Sequence, residues 1–281
     1  MGTFARSWQL FGQSFALLKS DKELMWLPIL SALFCLAATV IIFSSAFIVL
    51  GPVPAMLHDA ARQKLLYQHA APFVFLFYVV TYAIAIFFNV ALVSIASNRL
   101  AGGDAKLDYG LQVAWQRKWR ILEWALLAAT VGMILRALER RLSFLGRIVI
   151  GIIGFVWSLA SFFVAPVLAA EDMGPFDALY KSAGIFRETW GEEVVGGFSF
   201  GAIFMVLALP AVILPILGVR YGPTAMFVGL GIMLIYWLLL GVINSAAQGI
   251  FVAALYRYAT THEVSGGFDR TDLSSAWQPK Q

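Results

Sequence analysis

The sequence predicts an all-α polytopic membrane bundle of about six transmembrane helices in three hairpins, each preceded by an interfacial amphipathic helix. Three observations carry that prediction. Hydrophobic residues make up 60% of the chain, charged residues only 13%, and mean hydropathy is +0.81. A soluble domain carries about 25% charged residues, so lipid must be the solvent for much of this chain. Apolar stretches recur at 25–50, 72–97, 119–135, 148–170, 194–217 and 225–256, where about 20 residues at 1.5 Å rise suffice to cross the hydrocarbon. Shorter segments of helical periodicity stand before the first, third and fifth of them.

The lead segment shows that periodicity most clearly. Phe4, Trp8, Phe11, Phe15 and Leu18 recur at spacings of four, three, four and three, a face that Arg6, Gln9, Gln13 and Lys19 avoid. Such a helix lies along the headgroups with its aromatic side sunk towards the acyl chains. The apolar run from Met25 to about Leu50 far exceeds a signal-peptide core and should stay in the membrane. Gly51–Ala71, with Pro54, reads as a loop containing a small helix. The stretch 119–135 is the shortest and contains Glu123, one turn from Arg120, with which it should pair locally. In the fifth stretch Pro210 and Pro215 should kink the helix or shorten its end. Gly197 and Gly201, four apart, offer it a close helix contact.

In the sixth stretch Gly241, Ser245, Gly249 and Ala253 form a ridge of small residues four apart, which lets helix backbones approach. Beside it stand Asn244 and Gln248, whose amides need partners in hydrocarbon and should face another helix or water. The membrane domain is expected over 1–260, in hairpin units of about 1–100, 101–174 and 175–260, with a flexible cytoplasmic tail over 261–281.

A repeat links these units. Phe87-Phe88 leads through Ala91-Leu92 to Gly102-Gly103-Asp104 and Asp108; Phe162-Phe163 leads through Ala165-Pro166 to Glu171-Asp172-Met173-Gly174-Pro175 and Asp177. Each apolar stretch exits into an acidic, Gly-containing elbow, and an Asp stands where the next interfacial helix, over 107–118 or 175–190, should begin. Asp there accepts free N–H groups and opposes the helix dipole.

The net charge of +4 and pI near 9.2 follow from basic residues flanking the stretches. With six spans and the N-terminus inside, thirteen Lys/Arg fall on the inner side and seven on the outer, which favours two cytoplasmic termini. No run of five cations argues for nucleic acid. Arg136, Arg140, Arg141 and Arg147 break the inner-side rule; Arg136, Arg140 and Arg147 read as one helical face, only partly offset by Glu139. Cys35, the one cysteine, excludes an intrachain disulfide. His58, Asp59 and His69 fall short of the four closely spaced ligands of a structural zinc site, so no metal or cofactor is expected.

The elbow Pro166-Val-Leu-Ala-Ala-Glu171 … Gly174-Pro175-Phe-Asp-Ala178-Leu179-Tyr-Lys-Ser182, followed by Thr189-Trp190-Gly191, resembles prokaryotic six-span membrane proteins of unknown function. A relative of that group is the membrane domain of some glycerophosphodiester phosphodiesterases. The opening Ser7-Trp8-x-Leu10 … Asp21-Lys22-Glu23-Leu24 … Pro28 looks similar to the same group. The resemblance implies a multi-pass protein of a bacterial cytoplasmic membrane and brings no catalytic residues.

No P-loop, nucleophile elbow or His-Glu-x-x-His motif occurs, so an enzyme is not expected. The leading expectation is an oligomeric channel or transport protein, anion-preferring, with Asn244, Gln248 and the Arg136/Arg140 stripe as its polar path. The alternative is a non-transporting scaffold or accessory subunit that binds lipid or partner proteins. A third is a lipid-modifying enzyme using Glu123, Glu171 or Asp172. Membrane lipids and further copies of the chain are the expected partners.

Overall fold

The computed structural model describes Phe15, Leu18 and residues 22–50, 60–190 and 200–261. Phe4, Trp8, Phe11, Gly197 and the tail beyond Thr261 lie outside the described residues. A 3-10 turn, Lys22–Met25, leads into α1 (Trp26–Leu50), followed by α2 (Ala60–Leu100), α3 (Leu107–Gln116), α4 (Lys118–Arg141), α5 (Phe144–Ala160), α6 (Val164–Ala170) and α7 (Pro175–Trp190). Then come α8 (Phe200–Ala208), a 3-10 turn Leu209–Val212, α9 (Ile213–Val219) and α10 (Pro223–Thr261). No strand occurs among the described residues. The chain is an all-α polytopic membrane protein.

Five described segments are long and apolar enough to cross a bilayer: Glu23–Leu50, His69–Leu100, Lys118–Arg141, Phe144–Ala170 and Pro223–Thr261. The short third stretch is thus a full 24-residue helix, because Glu123 sits near its start, paired with Arg120, rather than interrupting it. The expected loop Gly51–Ala71 is helical from Ala60 onward: Arg62, Gln63, Lys64 and Gln68 are good helix formers and run on into the apolar part of α2. The expected fifth span is the main departure. Its described apolar part covers only Phe204–Val219, broken into α8, a 3-10 turn and α9. Pro210 has no N–H and its ring cannot continue the helix, so the break falls at this residue.

A broken helix in hydrocarbon frees carbonyl groups that water cannot reach. Here α10 supplies the donors: Tyr236 Oη donates to the Leu207 carbonyl (2.9 Å) and Trp237 Nε1 to that of Ala208 (3.0 Å). Beyond the break α9 runs back along α10. A Cβ on Gly218 would lie 2.7 Å from the Ala225 carbonyl oxygen, and one on Gly229 would lie 2.8 Å from that of Leu214. The turn between them uses Gly222 at φ +107°, a left-handed conformation that favours glycine.

The chain forms two compact units. One holds the described residues of Met1–Pro28, Leu92–Gly110 and Gly184–Gln281; the other holds Ile29–Ala91 and Leu111–Ala183. In the first, the core centres on the last turns of α10, where Ala246, Ala247, Ile250, Phe251 and Leu255 are buried, with Leu92, Val93 and Ile95 of α2. The earlier turns of α10 expose Phe227, Leu238 and Leu239. In the second, α4 buries Ile121, Trp124, Ala125, Ala128 and Ala129, one stripe at helical spacing. Trp124 stacks on Trp157 of α5, centroids 5.8 Å apart. The middle of α1 exposes Leu33, Phe34, Ile41 and Ile48, a surface that only lipid solvates without cost.

Replacing Gly229 by alanine should destabilise the protein by about 1–3 kcal/mol, since backbone rather than a side-chain tip must move. Gly231→Ala, whose Cβ meets nothing within 4 Å, should be neutral or better. Unfolding of both variants in detergent micelles measures the difference.

Candidate functional site

The chemistry-bearing side chains of the second unit gather where α3 passes into α4 and α6 passes into α7. The α3–α4 junction places Arg117 between two helices and Arg120 in the first turn of α4. The second places Glu171 and Asp172 in the extended link after α6. Asp172 takes both arginines: Arg120 Nε donates to its Oδ1 at 3.0 Å and Arg117 Nη1 lies 3.5 Å from its Oδ2. Arg120 Nη1 also reaches Glu123 Oε2 at 3.2 Å, and Lys181 of α7 pairs with Glu171. The cluster is three cations on three carboxylates. It ties the α3–α4 junction to the second elbow but leaves no charge over for a substrate or metal.

A second device fixes α7. The chain turns through Ser161–Phe163 between α5 and α6, so the Phe163 N–H lacks a helical acceptor. Ser182 of α7, fully buried, accepts it at 2.9 Å. Ala178, one turn before, is buried on the same face, while Phe176 and Tyr180 stand exposed on the other. At the first elbow Gly102 has φ +87°, with Gly102 N–H on the Arg99 carbonyl (2.9 Å) and Gly103 N–H on that of Asn98 (3.0 Å), a Schellman cap ending α2. The repeat seen in the sequence is therefore a repeat of elbows, each closed differently.

Beside the α3–α4 junction lies a groove of about 480 Å³. Its walls are Phe34 of α1, Ile84, Phe87 and Phe88 of α2, and Trp115 and Trp119 at the elbow, with Lys118 as the polar member. The rings of Phe34 and Phe88 meet at 5.7 Å, and Lys118 Nζ sits 4.4 Å from the Trp115 ring centroid. Trp115 and Trp119 are 62% and 67% exposed. No carboxylate among the described residues is within ion-pair distance of Lys118.

The basic stripe takes a form the sequence did not suggest. Helix α4 ends at Arg141 and the backbone is extended at Leu142 and Ser143, so Arg147 belongs to the first turn of α5. It shares no helical face with Arg136 and Arg140, because the extended Leu142 and Ser143 separate the two helices. Arg136 donates to the Tyr78 hydroxyl and lies 5.1 Å from its ring centroid, while Arg140 and Arg141 are exposed.

In the first unit the ridge on α10 makes contact along only part of its length. Gly249 and Ala253 are buried, and a Cβ on Gly249 would fall 2.1 Å from Leu92 Cδ2. Ser245 is exposed and Gly241 faces open space. Gly201 lies in α8. Gln248 is exposed, whereas Asn244 lines an apolar pocket of about 290 Å³ with Phe15, Phe204, Leu207, Tyr236 and Ile243. Its Oδ1 is buried without a hydrogen-bond partner among the described residues. The two amides, four apart in sequence, therefore do not make one polar path.

Sequence reasoning missed Ser182, Gly218, Gly229 and the groove. Gly218 and Gly222 stand four apart, a signal that was available; a lone serine in an amphipathic helix gives none.

Ser182→Ala should cost about 1–3 kcal/mol by leaving the Phe163 N–H buried and unpaired. Asp172→Asn, at an exposed ion pair, should cost under about 1 kcal/mol. Chemical unfolding of the two variants side by side checks the order.

No curated protein and no solved structure matches the chain. One family does, the family of unknown function DUF6159, over residues 69–267. The match starts at the apolar part of α2, ends just past α10, and takes in both elbows and most of the chain. The chain belongs to the DUF6159 family.

Proposed function

We propose that this protein is a lipid-organising scaffold of a bacterial cytoplasmic membrane, with both termini in the cytoplasm, rather than a conduit. The observation that carries this reading is the groove beside the α3–α4 junction: apolar walls, two exposed tryptophans and one cation without a carboxylate among the described residues. That is the chemistry of the membrane–water boundary, where amphipathic rings and Lys side chains sit at headgroup level. Counted for six spans, the thirteen-to-seven bias of Lys/Arg supports a cytoplasmic side for the elbows. A conducting path needs a file of polar groups or a charged ring. The two pockets described above are mainly apolar: one holds Lys118 with two tryptophans, the other Asn244 with Tyr236, and neither lines up a file of polar groups. Glu123, Glu171 and Asp172, the candidate acids for a lipid-modifying enzyme, are all held by cations. Kinship with the membrane domain of glycerophosphodiester phosphodiesterases, read from the same elbow, belongs to this proposal and implies lipid proximity without hydrolysis.

One observation supports an oligomeric channel as the second reading: the buried, unpartnered Asn244 Oδ1. An assembly could present it with a donor from another copy.

Planar bilayers containing the purified protein should show conductance no different from bare lipid, and the protein should retain bound phospholipid on mild extraction. A selective conductance altered by Asn244→Leu would overturn the scaffold in favour of the channel.

A further inference from the structure

The geometry points to a defined binding site for one anionic glycerophospholipid in the groove between the first hairpin and the α3–α4 elbow. This rests on the scaffold reading and makes it specific. Phe34, Ile84, Phe87 and Phe88 form a dry wall, and the groove volume of about 480 Å³ falls within the roughly 300–1,000 Å³ of ligand pockets. A wall of that composition takes an acyl chain. A free phosphate would have to give up water against hydrocarbon with one cation in return.

Charge selects the headgroup. Three cations lie together in sequence at the elbow, but Arg117 and Arg120 are held by Asp172 and Glu123. Lys118 alone points to the groove, resting on the face of Trp115. A cation stacked on an indole keeps its donors free on the side away from the ring, where a phosphodiester can accept them. Trp119, exposed on the next position, adds an indole N–H within the boundary region. Lys118, without a carboxylate among the described residues, matches one phosphodiester charge, and a zwitterion would bring a headgroup ammonium against it, so the occupant is a monoanionic lipid such as phosphatidylglycerol. Basic pockets between transmembrane helices bind acidic headgroups by this logic.

The test uses the full-length protein reconstituted in vesicles of phosphatidylcholine and phosphatidylglycerol, gently extracted and weighed with its retained lipids by native mass spectrometry. Wild type should keep one phosphatidylglycerol in preference to phosphatidylcholine. Lys118→Gln should lower that preference roughly fivefold, the effect of one juxtamembrane cation, and Lys118→Arg should restore it. Ala83→Trp, which fills the groove, should lose the retained lipid of either kind; its circular dichroism and melting profile report whether the fold survives. Arg140→Gln, an exposed cation outside the groove, should change nothing. Equal preference in wild type and Lys118→Gln, or an equal loss on Arg140→Gln, would overturn the site while the scaffold reading stood. A wild-type protein that retains no lipid would overturn both.

Discussion

At the break beside Pro210, the carbonyls of Leu207 and Ala208 take side-chain donors from the protein in a medium without water. Tyr236 and Trp237 provide them from a neighbouring helix. The same demand explains Ser182, which answers the Phe163 N–H at the only other interruption described inside an apolar stretch. Backbone hydrogen bonding in hydrocarbon therefore dictates which side chains α7 and α10 must carry, and where. Leucine at position 236 or 237 would satisfy hydropathy equally well and remove one of these side-chain donors.

Packing divides along each helix for a related reason. Apolar burial drives nothing when the surroundings are themselves apolar, so close contacts arise where backbones can touch or where polar groups must pair. In the first unit the tight contacts are at Gly218, Gly229 and Gly249. In the second they gather at the elbows, where Asp172 holds Arg117 and Arg120 and the tryptophan pair stacks in α4 and α5. Elsewhere, as along α1, large side chains are left to the lipid. The elbow cluster is electrically closed, and it leaves Lys118, on the Trp115 ring, with no carboxylate among the described residues.

Much of the fold was legible because hydropathy reports the transfer energy that also decides membrane insertion, and Glu123 misled only about length. The break in the fifth stretch was legible from Pro210 and Pro215. Which small residues touch was not: Gly241 and Gly249 share a ridge, yet only Gly249 meets Leu92, because contact depends on how two helices cross and not on one helix's periodicity. Arg147 was misplaced on the stripe because Leu142 and Ser143 look harmless in a helical count. The groove escaped because Phe34, Phe88 and Trp119 are far apart in the chain and meet only when folded.

The closeness of α9 to α10 also bears on how the chain is made. Seven residues form too few hydrogen bonds to hold a helix by themselves, and α9 is braced by Gly229 of a segment synthesised after it. Its final conformation must wait until α10 has left the ribosome, so the two segments enter the bilayer as partners. The order of biosynthesis is written into a single glycine contact.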